Sequence, residues 1–427
     1  MLVEEGPLAI IADDLTGACD VACQFRQYVP RVVVSEAVKS AGDNSIRILA
    51  VNSDSRKQSG AAAFSHVQEI CKGLLLNGRI PFYKKIDSTL KGNWSSELAA
   101  VVQTWIPEVV LVAPAFPIWG RTTEEGIQHL NGQALSDAKI HHSGRPADFQ
   151  TGISANVVEI LKQQFGRGVQ LIKRSQLSRG PQWVEQQIER YQFKGYRFLV
   201  FDAESDEDLK CICLGGSRVD LKTLWVGSGG LARFLPLGWG HRVSNLISAP
   251  APERNPAGKS ILLVNGSLNP SNAQQLRQLA QNRPILMIEV EEDDSERNPV
   301  TQAKRAKVLH SVEQGLDVAV SFPFNATRLS RTHLQEFHDT LQWLASSLID
   351  SQRIGGLILI GGDTATKVYR RIGASGIEIL GEVQPGVPYG RWIGGRLAGH
   401  PLVTKAGGFG RADTLSQAMD MLKQMVE

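Results

Sequence analysis

The chain has 427 residues, with 46 Lys+Arg against 43 Asp+Glu and 42% apolar side chains. A net charge of +3 without a long basic block gives no nucleic-acid footprint, and the ordinary composition excludes a disordered chain, a coiled coil and a collagen-like repeat. At about 150 residues per domain, the length predicts two or three domains that bury cores without disulfide or metal staples.

Glycine is the one excess, at 41 residues, so its placement carries information. The five cysteines (Cys19, Cys23, Cys71, Cys211 and Cys213) are odd in number and show no metal-ligand spacing. Cys19 and Cys23, one helical turn apart, read as small apolar residues on one helix face, and a reducing cytoplasm is the default compartment. The N-terminus, MLVEEGPLAIIADD, lacks the basic region of a signal peptide. No apolar stretch approaches the roughly 18 residues that span a bilayer.

In chain order, short apolar runs alternate with amphipathic segments. Leu8–Ala12, Ile46–Val51, Phe82–Lys85, Val109–Ala113, Val169–Ile172, Arg197–Asp202 and Leu224–Val226 read as strands. Ala61–Leu75, Ser95–Thr104, Ala155–Gln164 and Gln182–Tyr191 read as helices. The stretch SAPAPERNPAGK (248–259), with three prolines, reads as a linker, after which the alternation restarts. Ser260–Val264, Ile285–Val290, Asp317–Ser321, Leu357–Ile360 and Leu402–Lys405 read as strands. Asn272–Gln281, Arg331–Ile349 and Asp413–Val426 read as helices. Strands separated by helices imply crossover connections, so the expected fold is α/β: two domains, each a mostly parallel sheet flanked by helices. The expected bounds are 1–247 and 259–427, joined by a linker at 248–258, with the active site in the interdomain cleft.

Ligands of open parallel sheets bind beyond the carboxyl ends of the strands, so the residues following each strand carry the functional reading. Asp13 and Asp14 follow the first strand and enter a helix; they cannot both cap it, which leaves one to accept a proton or bind a hydroxyl. Arg56, after the second strand, suits bidentate carboxylate recognition, although such a loop alone is an ordinary surface turn. Lys84, Lys85, Asp87, Ser88, Thr89, Lys91 and Gly92 fall within ten residues and suit an anionic, hydroxylated ligand. Gly120-Arg121-Thr122 offers a second anion-binding turn. In the second half, Gly266-Ser267, Gly361-Gly362-Asp363-Thr364 and Gly407-Gly408-Phe409-Gly410 each follow a strand, and three such loops point to phosphate. No Walker-type loop, dinucleotide fingerprint or nucleophile elbow occurs. Gly227–Gly230 has no ribose-binding acid after it, and His141-His142 make a poor metal pair.

The blocks IADDLTGACD (11–20), KKIDSTLKGN (84–93), APAFPIWGRT (113–122), GGDTATKV (361–368), GEVQPGVPYG (381–390) and KAGGFG (405–410) resemble, in order and from end to end, the four-carbon acid sugar kinase family, once catalogued as a domain of unknown function. The resemblance implies ATP-dependent phosphorylation of the terminal hydroxyl of a four-carbon sugar acid such as 3-oxo-tetronate, D-threonate or D-erythronate. The first domain then holds the acid and the second the nucleotide. Carried over residue by residue, the substrate contacts are Asp13 or Asp14, Arg56, Lys85, Ile86, Asp87 and Ser88; for the catalytic step Asp14 and Asp87 are the alternative general bases, and Lys85 or Lys91 the cation for developing phosphate charge. The nucleotide contacts are Ser267, Gly361, Gly362, Asp363, Thr364 and Gly408. ATP and Mg²⁺ are the implied cofactors, Mg²⁺ bridging the phosphates through unidentified ligands. The other readings are a sugar-acid dehydrogenase or isomerase, and a sugar-acid sensor without turnover. The sequence departs from the family pattern at Leu268-Asn269-Pro270, where further hydroxyl residues are usual, and matches loosely over 136–152. Expected partners are a small sugar acid, with no nucleic acid and no membrane; a homo-oligomer is compatible with the chain, and closure about residues 247–258 would bring the two sites together.

Overall fold

A computed structural model describes residues 6–136, 154–242, 260–291, 294–295, 297–323, 331–351 and 353–426, giving only the backbone of 240–242, 331–335 and 337. The expected linker and hinge at 247–258 and residues 137–152 of the loosely matched segment lie outside them. The described residues fall into two compact units, 6–136 with 154–242, and 260–426.

The strands of the first unit are β1 (Leu8–Ala12), β2 (Val32–Ser35), β3 (Ile48–Asn52), β4 (Ile80–Lys85), β5 (Val109–Ala113), β6 (Arg121–Glu124), β7 (Ile127–Leu130), β8 (Gln133–Ala134), β9 (Val169–Ile172), β10 (Phe198–Phe201) and β11 (Thr223–Gly227). Its helices are α1 (Leu15–Cys23), α2 (Gly60–Leu76), α3 (Trp94–Trp105), α4 (Val157–Phe165), α5 (Arg174–Leu177), α6 (Pro181–Phe193), α7 (Asp206–Gly216) and α8 (Gly229–Ala232). Eight strands pair in parallel in the order β2-β3-β1-β4-β11-β5-β10-β9. β6, β7 and β8 form a separate antiparallel sheet. The parallel strands are buried along nearly their whole length, β1 and β5 completely, which is why they read as unbroken apolar runs. Register sets the site: Ala12 lies opposite Asn52, and Lys85 and Ala113 both lie opposite Gly227. The loops beginning at Asp13, Ser53, Ile86 and Ser228 therefore leave the sheet along one edge. The chain turns to one side after β1 and to the other after β4, so this edge contains a topological switch point.

The second unit comprises β12 (Ser260–Asn265), α9 (Pro270–Asn282), β13 (Ile285–Glu289), α10 (Pro299–Glu313), β14 (Asp317–Ser321), α11 (Arg331–Asp350), β15 (Ile354–Ile360), α12 (Gly362–Ile372), β16 (Gly376–Gln384), β17 (Val387–Ile393), β18 (Pro401–Lys405) and α13 (Thr414–Val426). Its sheet runs β13-β14-β12-β15-β18-β17-β16, with the first five strands parallel and β17 antiparallel to both neighbours. Asn265 lies opposite Ile360, and Ile360 opposite Lys405, so Gly266, Gly361 and Ala406 start their loops side by side. Leu263, Ile358, Val403, Leu276 and Leu422 close the core between this sheet, α9 and α13. Burying each such side chain contributes about 1.5–3 kcal/mol.

Candidate functional site

Asp14 is the N-cap of α1: its Oδ1 accepts the Gly17 amide at 2.9 Å and its Oδ2 accepts Thr16 Oγ1 at 2.9 Å. One aspartate caps the helix, as the sequence predicts, but the other is not left free. Asp13 is 1% exposed and held bidentately by Arg56, at 2.6 Å from Nε and 2.8 Å from Nη2. Arg56 Nη1 reaches Asp14 Oδ2 at 3.1 Å and Asp87 Oδ2 at 3.4 Å. One guanidinium thus ties together three carboxylates from the loops after β1 and β4. Gly92, at φ +90°, permits it: a Cβ there would lie 2.8 Å from Asp13 Oδ2 and 3.3 Å from Arg56 Cγ.

Burial works against the charge on Asp13, but Arg56, backed by Lys84 and Lys85, holds its carboxyl below the usual range. Burial opposes ionisation of Asp87 as well; Arg56, Lys91, Lys85 and the Thr89 hydroxyl outweigh it and hold the group far below the usual range. Asp87 Oδ1 accepts both the amide of Thr89, at 2.8 Å, and its hydroxyl, at 2.5 Å. Arg56 itself is pushed up by Asp13, Asp14 and Asp87 against the cost of burial. Lys85 is buried, and its Nζ and Asp14 Oδ1 both crowd against Gly17 at the start of α1. Ser88 is buried, with its carbonyl accepting Gln128 Nε2 at 2.8 Å. Ile86 is fully buried and its amide donates to the Gly227 carbonyl at 2.9 Å, so its side chain belongs to the core while its backbone anchors the loop.

Three contributors lie outside the expected contact set. Lys84 and Glu97 form an ion pair of 2.9 Å with both side chains fully buried. Glu97 Oε1 accepts Ser55 Oγ at 2.7 Å, fixing the loop that carries Arg56. Arg121 lies close enough to Asp87 for the carboxylate to oppose the lowering of its pKa by burial, and its Nη1 donates to the Trp119 carbonyl at 2.7 Å. The signal for Glu97, which sequence reasoning missed, was a lone acid in the first turn of an otherwise apolar helix face, and that reads equally well as a surface cap.

In the second unit the three glycine loops meet at the carboxyl edge. The Gly266 amide donates to Ile360 O at 3.1 Å and the Gly361 amide to Lys405 O at 2.9 Å. A side chain on Gly407 would collide with Ser267 Oγ, so that loop closes on Ser267 only because residue 407 is glycine. Gly361 is the N-cap of α12, and Gly362, Asp363 and Thr364 form its first turn, where open amides and the helix dipole favour an anion. Among the described residues the buried Thr364 hydroxyl finds no hydrogen-bond partner, a costly state unless something else fills it. Gly408 is half-buried at the tip of the last loop. Where the sequence departs from the family pattern, Asn269 caps α9 and Pro270 takes its first turn, so those residues start a helix.

These features define a two-domain α/β protein with a charged, carboxylate-rich site in one unit and a glycine-loop cradle in the other. Residues 8–235 match the family model described as a sugar-binding N-terminal domain, and residues 262–415 the nucleotide-binding C-terminal domain. The chain is 32% identical to D-threonate kinase of Cupriavidus necator, over 97% of this chain and 98% of that one. It is 28% identical to 3-oxo-tetronate kinase of Pseudomonas fluorescens, over 97% of each. A solved structure from Salmonella typhimurium LT2 shares the fold, with a TM-score of 0.80 at 21% identity over 96% of this chain and 98% of that one. The chain belongs to the four-carbon acid sugar kinase family.

Proposed function

We infer that the protein transfers the γ-phosphoryl group of ATP to the terminal hydroxyl of a four-carbon sugar acid such as D-threonate, D-erythronate or 3-oxo-tetronate. The reading rests above all on the Arg56-tethered carboxylates with Lys85 beside them, at the switch point of the first sheet. Such a site offers acceptors for hydroxyls and a cation for an anionic group within one loop cluster. The acid binds among Asp14, Lys85, Asp87 and Ser88. Arg56 and Asp13 serve mainly to hold that set in place, since Asp13 occupies the Nε–Nη2 edge of the guanidinium. The nucleotide phosphates lie on Ser267, Gly361–Thr364 and Gly408 in the second unit.

In the reaction the acceptor oxygen forms a bond to the γ-phosphorus. The bond to the β–γ bridging oxygen breaks, and ADP leaves with that electron pair. The hydroxyl proton passes to a carboxylate, Asp87 or Asp14. The low proton affinity of Asp87 suits orienting the hydroxyl and taking its proton late, as a loose phosphoryl-transfer transition state requires. Lys85 stabilises charge developing on the transferred group. Among the described residues, no group of three or more His, Cys, Asp or Glu is arranged to hold a metal. A magnesium ion, arriving with the nucleotide, would neutralise part of the phosphate charge. Among the described residues no helix is long and apolar enough to cross a membrane. A cytoplasmic location is part of the same reading.

A coupled ADP-release screen over erythronate, threonate and 3-oxo-tetronate tests the reading. Acid-dependent ADP formation is the expected result. Intact ATP with tight acid binding would make the protein a sensor, and a nicotinamide absorbance change would make it a dehydrogenase.

A further inference from the structure

We propose that Lys405 shapes the 406–410 loop into an anion-binding cradle and provides its positive charge, with the nucleotide phosphates as its counter-ion. The nucleotide as ligand rests on the function proposed above; the cradle rests on the geometry that follows.

Lys405 is the last residue of β18, and its side chain is fully buried. Its Nζ donates to Asn272 Oδ1 at 2.7 Å and to the carbonyls of Phe409 at 2.8 Å, Ala406 at 3.3 Å and Gly407 at 3.5 Å. In a planar trans peptide a carbonyl and the following N–H point in opposite directions. Three carbonyls turned toward the ammonium therefore turn the N–H groups of Gly407, Gly408 and Gly410 away from it. Among the described residues none of those three N–H groups finds a protein acceptor. From α9, Gln275 Nε2 holds the carbonyls of Phe409 and Gly410 at 3.2 and 2.9 Å, and Ser271 Oγ holds that of Gly407 at 3.2 Å. The loop is thus fixed from within by its oxygens and presents its amides outward, as in an anion nest.

The ammonium has no ion-pair partner among the described residues. Lys84, equally buried, is neutralised by Glu97. For Lys405 burial alone sets the proton affinity, bringing it down to about 7. The charged residues of the packed elements do not bear on it, neither Arg277 on α9, nor Arg391 on β17, nor Asp420 and Lys423 on α13. A buried cation without a counter-charge is expensive, and an arriving polyphosphate removes that cost. Phosphate binding raises the proton affinity of Lys405, so nucleotide binding takes up a proton above pH 7, and affinity falls as pH rises through that value.

The test is calorimetric titration of ADP into the full-length protein at pH 8, in two buffers of different ionisation enthalpy. That pH lies above the last phosphate ionisation, at about 6. Wild type is expected to take up close to one proton. Lys405→Met is expected to take up none and to bind ADP about tenfold or more weakly, with adenosine and threonate binding unchanged. Lys405→Arg, whose guanidinium stays charged, is expected to keep its ADP affinity between pH 7 and 9 while wild type weakens. Wild-type binding without proton uptake, or equal losses of ADP and adenosine in Lys405→Met, would overturn the proposal. If wild type ignores adenine nucleotides but binds tripolyphosphate in a Lys405-dependent way, the proposed function falls and the cradle stands; if it binds neither, both fall.

Discussion

Replacing Glu97 by Gln should destabilise the first unit by about 3–5 kcal/mol, because it strands a fully buried lysine charge. Lys84 and Glu97 approach to 2.9 Å with neither side chain reaching solvent. At an effective dielectric of about 20, two unit charges at that separation attract by roughly 6 kcal/mol, most of it offset by the cost of removing them from water. Glutamine keeps the shape and leaves Ser55 an acceptor, but the Coulomb term disappears while the lysine desolvation cost stays. Lys84 also donates to the Lys85 carbonyl at 2.7 Å, and Ser55 Oγ lies 2.7 Å from Ser53 Oγ, which bonds the Ala12 carbonyl at 2.9 Å. The damage therefore reaches all three loops of the site. Urea unfolding followed by tryptophan fluorescence reads the loss, since Trp94 and Trp105 lie on the same helix as Glu97. Replacing both partners together, Lys84→Met with Glu97→Leu, should recover most of it. A Glu97→Gln protein within about 1 kcal/mol of wild type, or a double variant no more stable than the single, would refute the reasoning.

Asp87→Asn should lower turnover by about 10²–10⁴-fold in an ADP-release assay while ADP binding by calorimetry stays unchanged. Asp13 and Asp87 both have depressed folded-state pKa values, so their stabilisation is present above the ordinary carboxylate range and is lost as pH falls through the lower folded values. Arg56→Met removes the main cause, and acid unfolding followed by circular dichroism should then begin at a higher pH than in wild type. Thr364→Val deletes a buried hydroxyl that bonds nothing among the described residues, so the melting temperature should hold or rise while ADP affinity drops about tenfold.

The parallel strands were legible because burial on both faces writes them as continuous apolar runs. The antiparallel pair β16 and β17 was not, because the block GEVQPGVPYG lies across it and is dense in glycine and proline. β16 carries Gly381, Glu382 and Gln384, and the turn at Pro385-Gly386 joins the two strands, so the hairpin reads locally as loop chemistry. β2 is absent from the strands that the sequence predicts. The candidate residues were found by where they sit, after strands, which topology dictates. Their partners were not, because pairing Arg56 with Asp13 and Lys84 with Glu97 depends on side-chain direction across 43 and 13 positions of chain, which periodicity does not encode.

The two units place a lysine alike and surround it differently, which decides what each can hold. Lys85 ends β4 and Lys405 ends β18, each the last residue of a parallel strand, with its ammonium buried at the carboxyl edge of the sheet. Around Lys85 stand Asp14, Asp13 and Asp87, close enough for the last two to feel its charge. A ligand there must satisfy carboxylates as well as a cation, and a hydroxylated acid does both: its hydroxyls donate and its anionic group accepts. A triphosphate in that place would face three negative charges at contact range. Among the described residues, Lys405 is surrounded by neutral oxygens and the loop presents N–H groups outward, so a hydroxyl gains little there and a dense anion gains most. On the function proposed above, exchanging the ligands between the two sites would leave charge uncompensated in both.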